Sequence, residues 1–485
     1  MIKSDNQPKD KGGIKAKKAD NFSEWYVEAI LKSEFVDYGP TSGMMVLRPD
    51  SYFIWEKIVS ATDALLKGIG VANTYFPLLI PERLLKKEAE HVEHFSPEVA
   101  WVTHGGDSEL EERLAVRPTS ETLMYEVMSK WIKSWRDLPM KLNQWNNVIR
   151  WEFKHPTPFL RTREFLWNEG HSVYATEKEA LAEREDILDI YTKVLKDHMA
   201  LPGIIGRKSE QEKFAGAVAS YSIEHIMPDG WAIQGPIWHY DGQRFAKAFA
   251  ISFLDKNEKK DYGWQNTYAI STRVLGIMLA AHGDDKGLIV PPKLSRIQVV
   301  VVPIYKNENR EKVVAFASKV AAKMGSLRTF VDERDGYSPG WKFNYWELRG
   351  VPIRLEIGEK EMASGRIVAC SRDTFEKVEV PQDDVEAQVG RLLDELHQRL
   401  YRKAERHMHS MISKEDDYKK LRQTLETKGG MVHAPWCGEN MCEDKIKEEA
   451  GAKITNMPLD QSDLKGNCIY CGRKARHMAN FAKSY

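Results

Sequence analysis

Between Trp145 and His171 the chain reads WNNVIRWEFKHPTPFLRTREFLWNEGH, and this stretch limits the possible fold more than any other. Pro156 and Pro158 cannot occupy a helix interior or a central strand, yet apolar and aromatic runs flank them on both sides. The spacing therefore predicts a strand out, an irregular KHPTPFL loop and a strand back. Arg150 and Glu152 close the outgoing run and should share one strand face; Trp167, Glu169 and His171 should share a face of the returning strand. Arg161 and Phe165 begin the return. Arginines make forked, permanently charged contacts to phosphate oxygens. A glutamate accepts from an exocyclic amine, and an aromatic ring stacks on a base for roughly 1–3 kcal/mol. The set suits a nucleoside triphosphate. On spacing alone, a hairpin with a charged outer face fits equally well.

The pattern R-x-E, loop, R-x-x-x-F resembles motif 2 of the class II aminoacyl-tRNA synthetases. RPTSE at 117–121, with VIRWEFKHPTPFLRTREFLWNEGH at 148–171, resembles the prolyl-tRNA synthetases of archaeal and eukaryotic-like type. The resemblance implies an α/β (α+β) chain: a class II antiparallel-sheet catalytic domain, a mixed α/β anticodon-binding domain and a small zinc-binding C-terminal domain. It implies ATP-dependent ligation of L-proline to tRNA(Pro) through prolyl-adenylate, with Mg2+ accompanying ATP, in a homodimer. Arg150 and Arg273 would be catalytic, Arg150 gripping the carboxylate and the α-phosphate. Glu152 would read adenine and Phe165 stack on it, Arg161 and Arg273 would take the outer phosphates, and Thr162 and Gln234 would complete the ATP site. Thr119, Glu121, Trp167, Glu169, His171, His239 and Ser271 would join Arg150 around proline.

At 485 residues about three domains are expected. The expected divisions are a disordered basic tail (1–20), the catalytic domain (21–293), the anticodon-binding domain (294–400) and the zinc domain (401–485). The tail holds six lysines and three aspartates with few large apolar side chains. With 71 basic and 71 acidic residues, net charge neither favours nor excludes a polyanion partner. No apolar run approaches the ~20 residues of a membrane span, and the N-terminus has no signal-like segment, so a cytoplasmic location is expected.

Trp25, Ala29 and Ile30 mark a first helix, and Pro49 to Lys67 a long amphipathic one stopped by Gly68 and Gly70. A short strand should begin at Thr74–Pro77; the helix–strand pair resembles motif 1, the dimer interface of class II enzymes. Thr119 could cap the helix that follows it, a role compatible with holding proline. Thr176 and Glu179 form a capping box before a helix whose apolar face includes Leu181, Ile187, Leu188 and Tyr191. The stretch from His171 to Trp231 is too short for the bacterial type's editing insertion, so editing in cis is not expected. The family's usual AIQ-x-GTSH is here AIQGPIWH. Ile237 lacks the expected hydroxyl and Trp238 is far larger than serine. Arg273 opens a helical pattern resembling motif 3, with Ser271 before it and Ala269 where glycine is usual.

After Pro291–Pro292, RIQVVVVPI reads as a buried strand. A helix from Arg310, a strand near Leu327–Val331, a helix capped by Ser338 and the strand VPIRLEIG then give an α/β module. Its wording resembles the class IIa anticodon-binding domain, with Arg334, Lys342, Glu347 and Arg354 as candidates for touching RNA. Cys370 follows a strand-like run and reads as a core residue. His407 and His409, in the helix leaving this module, read as solvated. Cys437-x4-Cys442 and Cys468-x2-Cys471 have spacings that suit a closed, structural tetrahedral zinc. In the family the chain end packs toward the active site, which Tyr485 permits. A class IIa synthetase for another small amino acid, and a tRNA-binding paralogue that no longer activates, are the alternatives.

Overall fold

The computed structural model describes residues 13–91, 98–152 and 156–485. Residues 1–12 of the expected tail, and Phe153 with Lys154 and His155 of the KHPTPFL loop, lie outside the described residues. At the centre of an eleven-stranded sheet run Ile204–Arg207, Ala219–Ile226, Ala232–Gly242, Trp264–Ala269, Glu164–Tyr174 and Met140–Ile149, antiparallel throughout. The last two are the strands read from the sequence, paired from Met140↔Val173 to Ile149↔Glu164. The outgoing strand ends at Ile149, however, so Arg150 and Glu152 stand just beyond it rather than on it. The chain is already turning into the proline-bearing loop, although Arg150 N still donates to Arg163 O at 2.8 Å.

The expected strand at Thr74–Pro77 is absent. Pairing occurs on either side, at Ala72–Asn73 and Leu79–Pro81, while Phe76 N donates to the Gln144 side chain instead of a ladder carbonyl. Helix Pro49–Gly68 starts on proline and buries Ile54, Trp55, Ile58, Thr62 and Leu66 at three- and four-residue spacing. Helix Glu177–Asp197 begins with the Thr176–Glu179 box, but Leu181 is 40% exposed and lies outside the stripe of Ala180, Ile187 and Tyr191. Helix Arg273–His282 is buried nearly all round. Lys18 Nζ donates to its terminal carbonyls Ala280 O (2.7 Å) and Gly283 O (2.6 Å), where a cation complements the helix dipole. Residues around Lys18 are therefore packed, contrary to the expectation of disorder across 1–20. Among the described residues, no helix is long and apolar enough to cross a membrane.

A second sheet runs Thr329–Val331, Val299–Pro303, Ile353–Ile357, Arg366–Ser371, Lys377–Pro381, the first three strands parallel. Val299–Pro303 is wholly buried, and Cys370 is a buried core residue. Helix Pro339–Leu348 has the Ser338 cap, which accepts from Trp341 N at 3.2 Å. Arg372 holds this module to the first by a fork onto Asp284, at 2.7 and 2.8 Å. Of the four RNA candidates, Lys342 is buried with Nζ donating to Asp332 O at 2.8 Å, so it is not available to RNA.

Helix Val385–Ser410 runs straight through the expected boundary at 400/401, and His407 is half-buried, 3.5 Å from Met227 O, while His409 is exposed. The C-terminal strands Ile412–Lys414, Met431–Trp436, His477–Ala482 and Lys453–Pro458 do not form a separate sheet. They extend the first one, joined where Met457 pairs with Arg207.

Gly170 sits between Glu169 and His171, and a Cβ there would lie 1.9 Å from Cε2 of the buried Tyr268 ring. Gly170→Ala is expected to lower stability by about 1–3 kcal/mol, the usual cost of overpacking, measured by urea unfolding.

Candidate active site

One cavity of about 480 Å³ opens on the central sheet, within the size range of small-ligand sites. The returning strand Glu164–Tyr174 contributes Phe165, Trp167, Glu169 and His171 on one face, as alternation requires. Arg150, Glu152 and Thr162 enter from the loop ends, Thr119 and Glu121 from the start of helix Glu121–Trp131, and Gln234 and His239 from strand Ala232–Gly242. Ser271 and Arg273 complete the wall before and at the start of helix Arg273–His282. Arg161 lies apart, lining an adjoining cavity of about 160 Å³ with Gln234, Arg273 and Tyr485. The chain end reaches that cavity because Tyr485 N donates to Ala232 O at 3.1 Å and its hydroxyl to Asp229 at 2.6 Å.

The first end of the main cavity is acidic and rigid. Glu169 accepts from Thr119 Oγ1 (2.9 Å), Ser120 N (2.8 Å), Ser120 Oγ (2.6 Å), Gln144 Nε2 (3.1 Å) and Asn146 Nδ2 (3.0 Å). The helix cap is thus Ser120 rather than Thr119, whose hydroxyl is held between Glu169 and Glu121. A hydroxyl has one proton to give, so a proton on Glu121 would complete the second contact. Burial, then the adjacent Glu169, push the Glu121 carboxyl up to about 7. His171 lies 3.2 Å from the Tyr125 hydroxyl, and burial lowers it to about 4, leaving a neutral imidazole. Sequence reasoning missed Ser120, Gln144 and Asn146, because amides and a serine beside a named motif carry no distinctive spacing.

The other end is cationic. Arg150 Nε donates to Pro118 O at 3.0 Å, and its guanidinium stands 5.4 Å from the Phe165 ring and 5.3 Å from that of Trp167. Phe165 and Trp167 meet edge-on at 5.6 Å, and the buried Trp167 Nε1 has no acceptor among the described residues. Arg273 donates from Nε to Leu160 O at 3.1 Å. Burial, then the like charge of Arg150, lower its pKa to about 10, and Arg161 adds to the effect. Crowding like charges in this way favours the binding of an anion.

Alternation settles the geometry of GPIWH. Ile237 and His239 face the cavity, while Trp238 is fully buried on the opposite face, 5.7 Å from Tyr221 and stacked 6.4 Å from Tyr240. Trp238 therefore takes no cavity volume. His239 Nδ1 lies 2.7 Å from Ser220 Oγ and its ring 5.0 Å from Phe214; burial, with Lys208 and Arg150, lowers it to about 3. The 212–215 loop, with Glu212, Lys213, Phe214 and Ala215, is a further wall.

At the far end of the extended sheet, Cys437, Cys442, Cys468 and Cys471 bring four sulfurs within 4.8 Å of one another, all as free thiols. Two of the separations are 3.6 and 3.8 Å. A tetrahedron of Zn–S bonds of about 2.3 Å has edges of about 3.8 Å, so these residues fit zinc.

Three family models match in order along the chain: the tRNA synthetase class II core domain (G, H, P, S and T) at 101–282, an anticodon binding domain at 298–392, and the prolyl-tRNA synthetase C-terminal domain at 418–485. The chain is 46% identical over 466 residues to a proline–tRNA ligase of Alkaliphilus oremlandii (strain OhILAs), covering 96% of both. It is 45% identical over 478 residues to that of Cenarchaeum symbiosum (strain A), covering 98% of this chain and all of the relative. A crystal structure of prolyl-tRNA synthetase from Cryptosporidium parvum, complexed with halofuginone and AMPPNP, superposes with a TM-score of 0.93 at 42% identity, over 98% of this chain and 99% of that one. Matched over 96–98% of its length, and through the core, anticodon-binding and C-terminal modules in turn, the chain belongs to the prolyl-tRNA synthetase family.

Proposed function

We propose that this chain ligates L-proline to tRNA(Pro) in two ATP-dependent steps through prolyl-adenylate. The observation that carries the reading is one cavity with a hydrogen-bonded carboxylate end and a crowded guanidinium end, bridged by Arg150. Proline's secondary ammonium has two N–H donors; the Thr119 hydroxyl and the Glu121 carboxylate would receive them, with Glu169 holding Thr119 in place. Trp167 would wall the pyrrolidine ring and His171 close the floor. Arg150 would hold the proline carboxylate against the α-phosphate, one carboxylate oxygen attacking phosphorus as pyrophosphate leaves. A hydroxyl of the terminal adenosine of tRNA would then attack the activated carbonyl, releasing AMP. No side chain need act as a nucleophile; the chain supplies positioning and fixed charge. Phe165 would stack on adenine and Glu152 accept from its amine, with Arg161, Arg273, Thr162 and Gln234 along the phosphates. Mg2+ bound with ATP supplies further charge neutralisation there.

Trp238 facing away from the cavity removes the main ground for a pocket re-specified to another amino acid. Cys437, Cys442, Cys468 and Cys471 would hold Zn2+ with no open position, hence structurally. The exposed Tyr75, Leu78 and Trp131 offer an apolar face for a second copy of the chain, in a homodimer. A cytoplasmic location, where tRNA is charged for translation, would suit this activity.

Arg150→Ala is expected to cut proline-dependent ATP–pyrophosphate exchange by at least about 10²–10³-fold while the circular dichroism melt stays near wild type. Exchange at near-normal rate would refute the assignment of Arg150. A pH series gives a second check. Ionised Glu121 attracts the proline ammonium and protonated Glu121 does not, so kcat/KM for proline should rise with pH up to about 7, then level off. Glu121→Gln should flatten that limb. Metal analysis should find about one zinc per chain, and Cys442→Ser should lose it together with thermal stability.

A further inference from the structure

We infer that Glu443, next in sequence to Cys442, is a positioning residue for proline capture, fixing the 209–215 loop and so coupling the four-cysteine centre to the cavity. The inference deepens the function proposed above and rests on it. The loop has no ladder of its own, yet Glu212, Lys213, Phe214 and Ala215 form a cavity wall and Phe214 packs against His239. Phe214 N donates to Ser220 Oγ at 3.0 Å, and the loop's remaining side-chain tethers to other elements come from the C-terminal segment. Ser209 Oγ donates to Glu443 Oε1 at 2.7 Å, Gln211 Nε2 to Asp444 Oδ1 at 3.1 Å, and Lys453 Nζ lies 2.8 Å from Glu212 Oε2.

These tethers are not equal. Gln211–Asp444 is exposed and Lys453–Glu212 partly so, and pairs in water contribute little. Ser209 and Glu443 are each 1% exposed, so their hydrogen bond is shielded from competing water. Ser209 Oγ also accepts from Glu212 N at 3.2 Å, so the group that Glu443 holds closes the loop's first turn. On the other side, Cys442 and Glu443 lie together in the first turn of helix Asn440–Ala450, with Cys442 fully buried. Sulfur ligation at Cys442 fixes that turn, the turn fixes the carboxylate, and the carboxylate fixes the wall facing proline.

The test uses the full-length protein with zinc bound. Glu443→Ala is expected to raise KM for proline in pyrophosphate exchange about tenfold, the scale of one lost buried hydrogen bond, with kcat and KM for ATP within about twofold. Its zinc content should stay at the wild-type level. Glu443→Gln, which can still accept from Ser209, should recover most of the loss. Ser209→Ala breaks the same bond without touching the cysteine helix and should reproduce the KM change. Hydrogen–deuterium exchange of 208–217 should quicken in Glu443→Ala and Ser209→Ala, and in wild type stripped of zinc by a chelator. Wild-type proline KM and loop protection in both substituted proteins would overturn the inference, as would loop protection unmoved by zinc removal. Should wild type show no proline-dependent exchange, the proposed function fails, and the deuterium measurement still decides whether Glu443 holds the loop.

Discussion

The site depends on one buried carboxylate. Taking a charge from water costs several kcal/mol unless hydrogen bonds replace hydration, and Glu169 receives such bonds from two separate segments, tying three together. Thr119 and Ser120 come from the start of a helix, Gln144 and Asn146 from the outgoing strand, and Glu169 from the returning one. At roughly 1.5–3 kcal/mol for each hydrogen bond to a charged group, the set outweighs the cost of burial. It also fixes where each segment can lie. Gln144 carries the constraint outward, since its Oε1 accepts from Phe76 N while its amide donates to Glu169. A side chain thereby replaces the strand expected at Thr74–Pro77.

A second constraint follows from sheet continuity. The C-terminal segment is covalently distant from the cavity-lining hairpin, but Met457 and Pro458 pair with Arg207 and Gly206, so the two share one sheet. A strand pairing is cooperative with its neighbours, so the cysteine centre sits at the end of a ladder that leads to the cavity wall. Asn456 reinforces the seam by donating to Ile204 O at 2.9 Å. Cβ-bearing residues are excluded at Gly206, where a Cβ would fall 2.5 Å from Met457 O.

What the sequence made legible follows the physics of periodicity and charge. Pro156 and Pro158 between two aromatic runs forced the hairpin, and alternation put Trp167, Glu169 and His171 on one face. The capping box at Thr176, the proline at the start of helix Pro49–Gly68 and the β-branched run in Val299–Pro303 are local signals, and each element formed where it stood. What escaped was non-local. Nothing near Gln144, Asn146 or Ser209 announces a partner elsewhere in the chain, because single amides and hydroxyls have no period. Lys342 read as an RNA contact from its charge, although the fold draws its ammonium inward to Asp332. Helix Val385–Ser410 crosses 400/401, where its buried apolar stripe ends at Leu400 while the helix runs on.

The GPIWH segment shows why a motif departure needs geometry before it has meaning. Read as a string, three residues differ from the family's usual wording, and of Ile237 and Trp238, which stand where hydroxyl residues are usual, tryptophan is the larger change. On a strand the two positions face opposite ways. Trp238 enlarges the apolar core behind the sheet, packed among Tyr221 and Tyr240, while Ile237 alone of the pair meets the cavity. An apolar wall there removes a hydrogen-bonding group without introducing charge, and leaves Arg150, Arg273 and Glu169 with the partners described. The cavity keeps its two-ended polarity because that polarity is built on other strands, on backbone carbonyls at Pro118 and Leu160, and on the carboxylate at their junction.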